Sequence, residues 1–226
     1  MNDYWFGPIV HGAQLDEARR LHGRVYQELG FVPNLPDSGM LEDEWTPHSR
    51  FFAAVEPGGP VVGTCRLIPW TEAELPTVVT YGLDLDSLGF GEVAEAGKIT
   101  EVSALATDKQ RVPEPLLVSA GLYRAMWQEE ARSGASDVWL FSIENWLFDI
   151  FKDAFGLPVD QVGEGKQYYG AVCIPVILDL RDLGAVLWPT RPEIAEWFVE
   201  GLPAELHQRP VLDDGWLSGE SRAVGQ

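Results

Sequence analysis

Two strand-like segments each carry one ionisable side chain among apolar neighbours. The first is Val61-Val62-Gly63-Thr64-Cys65-Arg66-Leu67-Ile68-Pro69, the second Ile99-Thr100-Glu101-Val102-Ser103-Ala104-Leu105-Ala106-Thr107. A charge taken into a β-sheet needs a partner or a site, so Arg66 and Glu101 constrain this chain more than any other pair. Either they pair with each other and fix the sheet, or they line a cleft. The two readings are compatible, because a general base also needs an orienting partner. Strand alternation puts Ile99, Glu101, Ser103 and Leu105 on one face, and Thr100, Val102, Ala104 and Ala106 on the other. Val62, Thr64 and Ile68 would share the face of Arg66.

The flanking sequence supplies the remaining elements. Residues 13–29 read as an amphipathic helix, with Ala18, Leu21, Val25 and Leu29 at helical spacing and Gly30 as its stop. Residues 31–48 hold three prolines and the acidic run Glu42-Asp43-Glu44, and read as a long loop of the kind that is often functional. Residues 51–55 and 61–68 flank Glu56-Pro57-Gly58-Gly59-Pro60 and predict an antiparallel hairpin. Residues 70–97 read as a short helix or loop followed by irregular chain, and 99–107 as a strand. Leu116, Ala120, Tyr123, Trp127 and Ala131 form the apolar face of a helix over 115–132, with Pro115 in its first turn. A buried strand over 138–143, a short helix over 144–155, strands over 159–162 and 169–180, and a helix over 192–200 complete one domain spanning 1–205. Residues 206–226 read as a loosely ordered tail. Strand–helix–strand units mixed with a hairpin predict a mixed sheet with helices on both faces.

Composition excludes several classes. The net charge of −19 argues against a nucleic-acid partner, which needs clustered Lys and Arg; it serves solubility first and would also help attract a cationic or amine substrate. No apolar run reaches the roughly 18 residues that span a bilayer, and the start Met1-Asn2-Asp3-Tyr4-Trp5-Phe6 lacks a signal-peptide pattern. A cytoplasmic location is therefore expected. The two cysteines, Cys65 and Cys173, lie in apolar runs without metal-ligand spacing. The four histidines, including His48 in the long loop, are scattered, so no metal site is expected. There is no Gly-x-Ser-x-Gly elbow, no Gly-x-Gly-x-x-Gly after a strand and no phosphate loop ending in Gly-Lys-Ser/Thr. Trp139, Phe141, Trp146, Phe148 and Phe151 cluster at one strand–helix junction, as an acyl-chain site or a packed core would.

Several segments together resemble the acyl-homoserine-lactone synthases and the related N-acyl amino acid synthases. Leu21-His22-Gly23-Arg24-Val25-Tyr26-Gln27-Glu28, followed by Gly30-Phe31, is similar to their first helix, an Arg-x-x-Val-Phe-like pattern leading into an aromatic loop. Val62 to Pro69 resembles their Gly-x-x-Arg-Leu-x-Pro strand, and Glu101 to Ala106 their Glu-x-Ser-Arg strand. Gly163, Tyr168-Tyr169-Gly170 and Pro175-Val176 resemble their C-terminal strand pair. The resemblance covers roughly residues 13–180.

The resemblance implies an α/β (α+β) fold like that of the GNAT acyltransferases: a mixed, mostly antiparallel central sheet with a V-shaped cleft and helices on both faces. It implies transfer of a fatty acyl group from an acyl carrier protein or coenzyme A thioester to the amine of an amino acid or similar small molecule. No cofactor would be held permanently, and acyl carrier protein is the candidate protein partner. Glu101 would be the base, directly or through water, and Ser103 would lie near the thioester carbonyl. Arg24, Phe31, Arg66, Trp139, Phe141 and Ser142 would face the substrates, with Lys109 and Arg111 toward the donor phosphate. Two positions depart from the family pattern. Ala104 stands where the Glu-x-Ser-Arg strand has arginine, and His48 or Ser49 where the lactone synthases carry a later aspartate. These departures favour an amino acid or another amine over S-adenosylmethionine-dependent lactone synthesis. Lactone synthesis stays as an alternative, as does a catalytically silent, ligand-binding member of the fold.

Overall fold

The computed structural model describes residues 4–10, 12–71, 74–168 and 170–208. Strands β1 (Trp5–Ile9), β2 (Arg50–Val55), β3 (Val61–Pro69), β4 (Ile99–Thr107), β5 (Val138–Glu144), β6 (Val159–Gln161), β7 (Lys166–Tyr168) and β8 (Ala171–Asp179) form one sheet. Its order is β1-β2-β3-β4-β5-β8-β6, with β7 also paired to β8. Neighbours are antiparallel except β4 and β5, which run parallel.

That parallel pair opens the molecule. Pairing starts at Ile99 with Val138 and ends at Val102 with Phe141, although β4 continues to Thr107 and β5 to Glu144. Beyond Val102 the strands separate into a V. On the β3 side, Arg66 pairs with Ser103 and Thr64 with Ala106, so Cys65 alone faces Ala104 and Leu105. This is a β-bulge. Ala104 sits at φ 56°, in the left-handed region that residues other than glycine enter at a cost. The bulge also resets the alternation: Ile99 and, past the bulge, Ala106 pack on one side of the sheet, while Leu105 packs on the other. Leu105 therefore does not share the face of Glu101, contrary to unbroken alternation.

Helices cover both faces. On one side α1 (Ala13–Glu28) packs through Ala18, Leu21 and Val25 onto Phe51, Ala53 and Val55 of β2, and α2 (Pro76–Tyr81) and α3 (Gly91–Glu95) follow beside it. On the other, α4 (Pro115–Ser133) packs through Val118, Leu122 and Met126 onto Phe52, Ala54 and Leu67. Gly121 permits close approach, since a Cβ there would lie 2.5 Å from the Phe6 ring. The segment after β5 is α5 (Asn145–Asp149) running into a π-helical turn over Ile150–Ala154. Helices α6 (Leu183–Thr190) and α7 (Pro192–Val199) close the same side as α4.

Four elements depart from the sequence reading. β1 holds Pro8, and proline is tolerated there because β1 is an edge strand. The stretch read as a short helix or loop followed by irregular chain holds α2 as that short helix and a second helix, α3, where irregular chain was expected. Neither α6 nor β7 was expected, and β8 is described from Ala171, within the strand expected over 169–180; Tyr169 lies outside the described residues. At the start of the expected loose tail, Gln208 accepts the Gly184 N–H at 3.0 Å and donates to the Leu180 carbonyl at 3.0 Å. Residues 209–226 lie outside the described residues.

Candidate active site

The V between β4 and β5 opens into a cleft of about 680 Å³. Its polar end lies on the α1 side, where Arg66 and Glu101 both project. Both are almost completely buried. They do not form the ion pair the sequence suggested. The residue across the ladder from Glu101 is Ile68, and Arg66 stands opposite Ser103. Arg66 instead grips Asp43 from the long loop, with Nη1 donating to Oδ1 at 2.9 Å and Nη2 to Oδ2 at 2.6 Å. This is the two-pronged geometry that guanidinium and carboxylate favour.

Asp43 is itself held by a local turn. Its N–H donates to Thr46 Oγ1 at 2.9 Å, and that hydroxyl donates back to Asp43 Oδ1 at 2.8 Å. Burial works to raise the Asp43 carboxyl, but the hydrogen bonds and charge of Arg66, helped by Thr46, outweigh it and hold it below the usual range.

Glu101 has a different partner. One carboxyl oxygen accepts the Thr77 N–H at 2.8 Å, at the start of α2. Burial drives its pKa up to about 7, against the opposing pull of Thr77 and the Arg66 charge. A carboxylate balanced near neutrality is suited to taking a proton and passing it on.

His22 completes this end. It is buried, its ring stands edge-on to Tyr26 at 4.2 Å, and Tyr26 meets Phe31 at 5.3 Å. Burial first, and the nearby Arg66 charge second, push it down to about 3, so the imidazole is neutral. Among the described residues, His22 Nε2 and Arg66 Nε are buried without a hydrogen-bond partner.

The predicted site residues divide. Glu101, Ser103, Phe31, Arg66, Lys109 and Ser142 line the cleft. Ser142 shares a hydrogen bond of 2.8 Å with Tyr81. Arg24 lies outside the cleft lining. It is half-exposed and bonds Asp108 at 2.7 Å, just past the end of β4. Arg111 also lies outside the lining, 3.8 Å from Asp108. Trp139 and Phe141 line a second, apolar pocket on the α4 side. Sequence reasoning missed His22, Asp43 and Thr77 as site residues. A signal for His22 was present: in an Arg-x-x-Val-Phe pattern the first position is three before the valine, and three before Val25 stands His22, not Arg24. No cluster of potential metal ligands occurs among the described residues.

A mixed sheet that splays at its one parallel pair, with helices on both faces and a cleft in the V, is the GNAT-like acyltransferase fold, and the chain is an acyltransferase. A family model for the N-acyl amino acid synthase FeeM matches residues 17–180, and the chain belongs to that family. Among solved structures it resembles FeeM, an N-acyl amino acid synthase from uncultured soil microbes, at 23% identity and a TM-score of 0.60, over 81% of this chain and 93% of that one. It resembles TofI, solved with an inhibitor and MTA, at 18% identity and a TM-score of 0.63, over 84% and 98%. The coenzyme A-dependent acyl-homoserine lactone synthase BjaI, solved with SAM and isopentyl-CoA, matches at 18% identity and a TM-score of 0.60, over 89% and 91%. No curated protein matches the chain by sequence.

Proposed function

We propose that this protein moves a fatty acyl group from a carrier thioester to the amine of an amino acid or similar small amine. The observation that carries the reading is Glu101: a buried carboxylate at the polar end of the cleft, poised near pH 7 and fixed by the Thr77 N–H.

The chemistry follows from these groups. An α-amine is mostly protonated at neutral pH and must lose a proton before it attacks. Glu101 takes that proton, directly or through water. The nitrogen attacks the thioester carbonyl, the C–N bond forms, and the tetrahedral intermediate collapses with loss of the C–S electron pair to sulfur. The sulfur leaves as a thiol, taking up the second proton that the nitrogen sheds as the amide forms, and Glu101 releases the first to solvent. A thioester is activated already, so the scheme uses no metal and no covalent nucleophile. Ser103, Ala104 and Leu105 line the cleft at the bulge, where backbone N–H groups would serve the oxyanion. Arg66, held by Asp43, and His22 shape the acceptor end. Lys109 on the rim suits a donor phosphate, whereas Arg111 and Arg24 are engaged by Asp108.

The donor is an acyl carrier protein or coenzyme A thioester, consumed as a substrate, with no permanently bound cofactor. No described helix is long and apolar enough to cross a membrane. Incubation with a panel of acyl thioesters and amines, followed by thiol release and product mass, tests the proposal. Release with an amino acid supports it. Release with no amine in the panel would remove it, and lactone formation from S-adenosylmethionine would replace it.

A further inference from the structure

We propose that helix α7, through Trp197 and Phe198, is the end stop for the acyl chain and selects unbranched chains of medium length. The inference rests on the acyl-transfer reading above. The second pocket is about 50 Å³ in volume, with an almost wholly apolar lining. It joins the cleft, because Leu105, Leu116, Ser119, Tyr123 and Leu147 line both spaces.

The direction of the passage can be read along α4. Leu116, Ser119 and Tyr123 belong to the shared stretch, and Trp127 to the second pocket alone. From Leu116 to Trp127 a helix advances about 16 Å, far more than an acetyl group needs. At the far end the Phe198 ring meets Trp127 edge-on at 5.5 Å, and Trp197 meets Phe198 at 5.2 Å. This wall is braced from α4: Gln128 Nε2 donates to the Phe198 carbonyl at 2.8 Å, and Arg124 reaches the Glu200 carboxylate at 3.0 Å while lying over the Trp197 ring at 5.3 Å. This volume is well short of the roughly 150 Å³ at which an apolar cavity takes benzene. It admits the tip of a straight chain and excludes a ring. The family match ends at residue 180, so the stop is built by chain beyond the matched region.

The test compares the protein with its Trp197→Leu and Phe198→Leu variants on a homologous series of saturated acyl thioesters, and titrates the matching free fatty acids calorimetrically. Circular dichroism first establishes which variants are folded, and Trp197 is only half-buried. The expected result is a rise of at least about tenfold in the ratio of long-chain to short-chain rates, since one methylene in an apolar pocket discriminates by that order. Binding should shift the same way. Leu183→Phe, which thickens the wall, should move the preference toward shorter chains. Ile194→Ala, on the same helix but lining neither space, should leave the ratio unchanged. An unaltered length profile in folded Trp197 and Phe198 variants overturns the end stop and leaves acyl transfer standing. Fatty-acid binding with an α7-dependent cut-off, but no transfer to any amine, does the reverse.

Discussion

The two sides of the sheet at the V are built from opposite materials. On the α1 side Arg66, Asp43, Glu101 and His22 bring buried polarity into a small volume, each charge held by a specific partner or neutralised. On the α4 side aromatic rings meet edge to edge, as in the Tyr123–Phe151 and Phe141–Phe151 pairs at 5.2 and 5.6 Å, around a dry pocket. The polar side depends on hydrogen-bond geometry, and removing the partner of a charge there leaves that charge buried and uncompensated. The apolar side depends on volume and degrades gradually. The β4 bulge at Ala104 joins them, turning Leu105 toward the rings and leaving Ser103 with Glu101.

The contrast breaks most visibly at Glu101. Glu101→Gln keeps an acceptor for the Thr77 N–H but removes the base, and should slow amine acylation by about 10²–10⁴-fold. Turnover within tenfold of the parent would remove Glu101 from catalysis. Asp43→Ala should be the most costly change to stability on the polar side. It leaves a buried guanidinium unpaired, and urea unfolding should show a loss of about 3–5 kcal/mol.

The third effect is pH-dependent. The folded-state pKa of Glu101, about 7, stands above its ordinary 4.5, so the native protein holds this proton in the window between. The contribution to stability is complete below pH 4.5, falls through the window and is gone above 7. Relative to Glu101→Gln, the parent should lose about 3 kcal/mol across that window, while acylation rises with pH through 7 as the base ionises. Parallel stability curves for the two proteins would contradict this. Arg24→Ala should do least. Its pair with Asp108 is half-exposed, so melting should change by about 1 kcal/mol or less. A loss of acceptor affinity there would return Arg24 to the site.

Where periodicity carried the information, the sequence was legible. β4 occupies the predicted residues from Ile99 to Thr107, and the hairpin and α4 fall within a residue or so of their expected limits. What escaped was long-range or out of phase. Asp43 reaches Arg66 through a loop whose path has no period, so Glu101 looked like the nearer partner. The bulge changes which residues share a face without changing a letter of the alternation. Arg24 drew attention as a charge, yet the inward position on α1 belongs to His22, which is buried and uncharged. Trp139 and Phe141 read more readily as core than as pocket, because an apolar pocket is lined like a core.

The early end of pairing at Val102 and Phe141 leaves two strand edges facing each other across an opening inside the molecule. Edge strands ordinarily invite another chain. Here the invitation points inward, into the cleft. An occupant bearing amide groups would close the seam, so thermal stability should rise with donor concentration as binding to the native state requires. On the proposed function, the substrate would then supply what the sheet lacks.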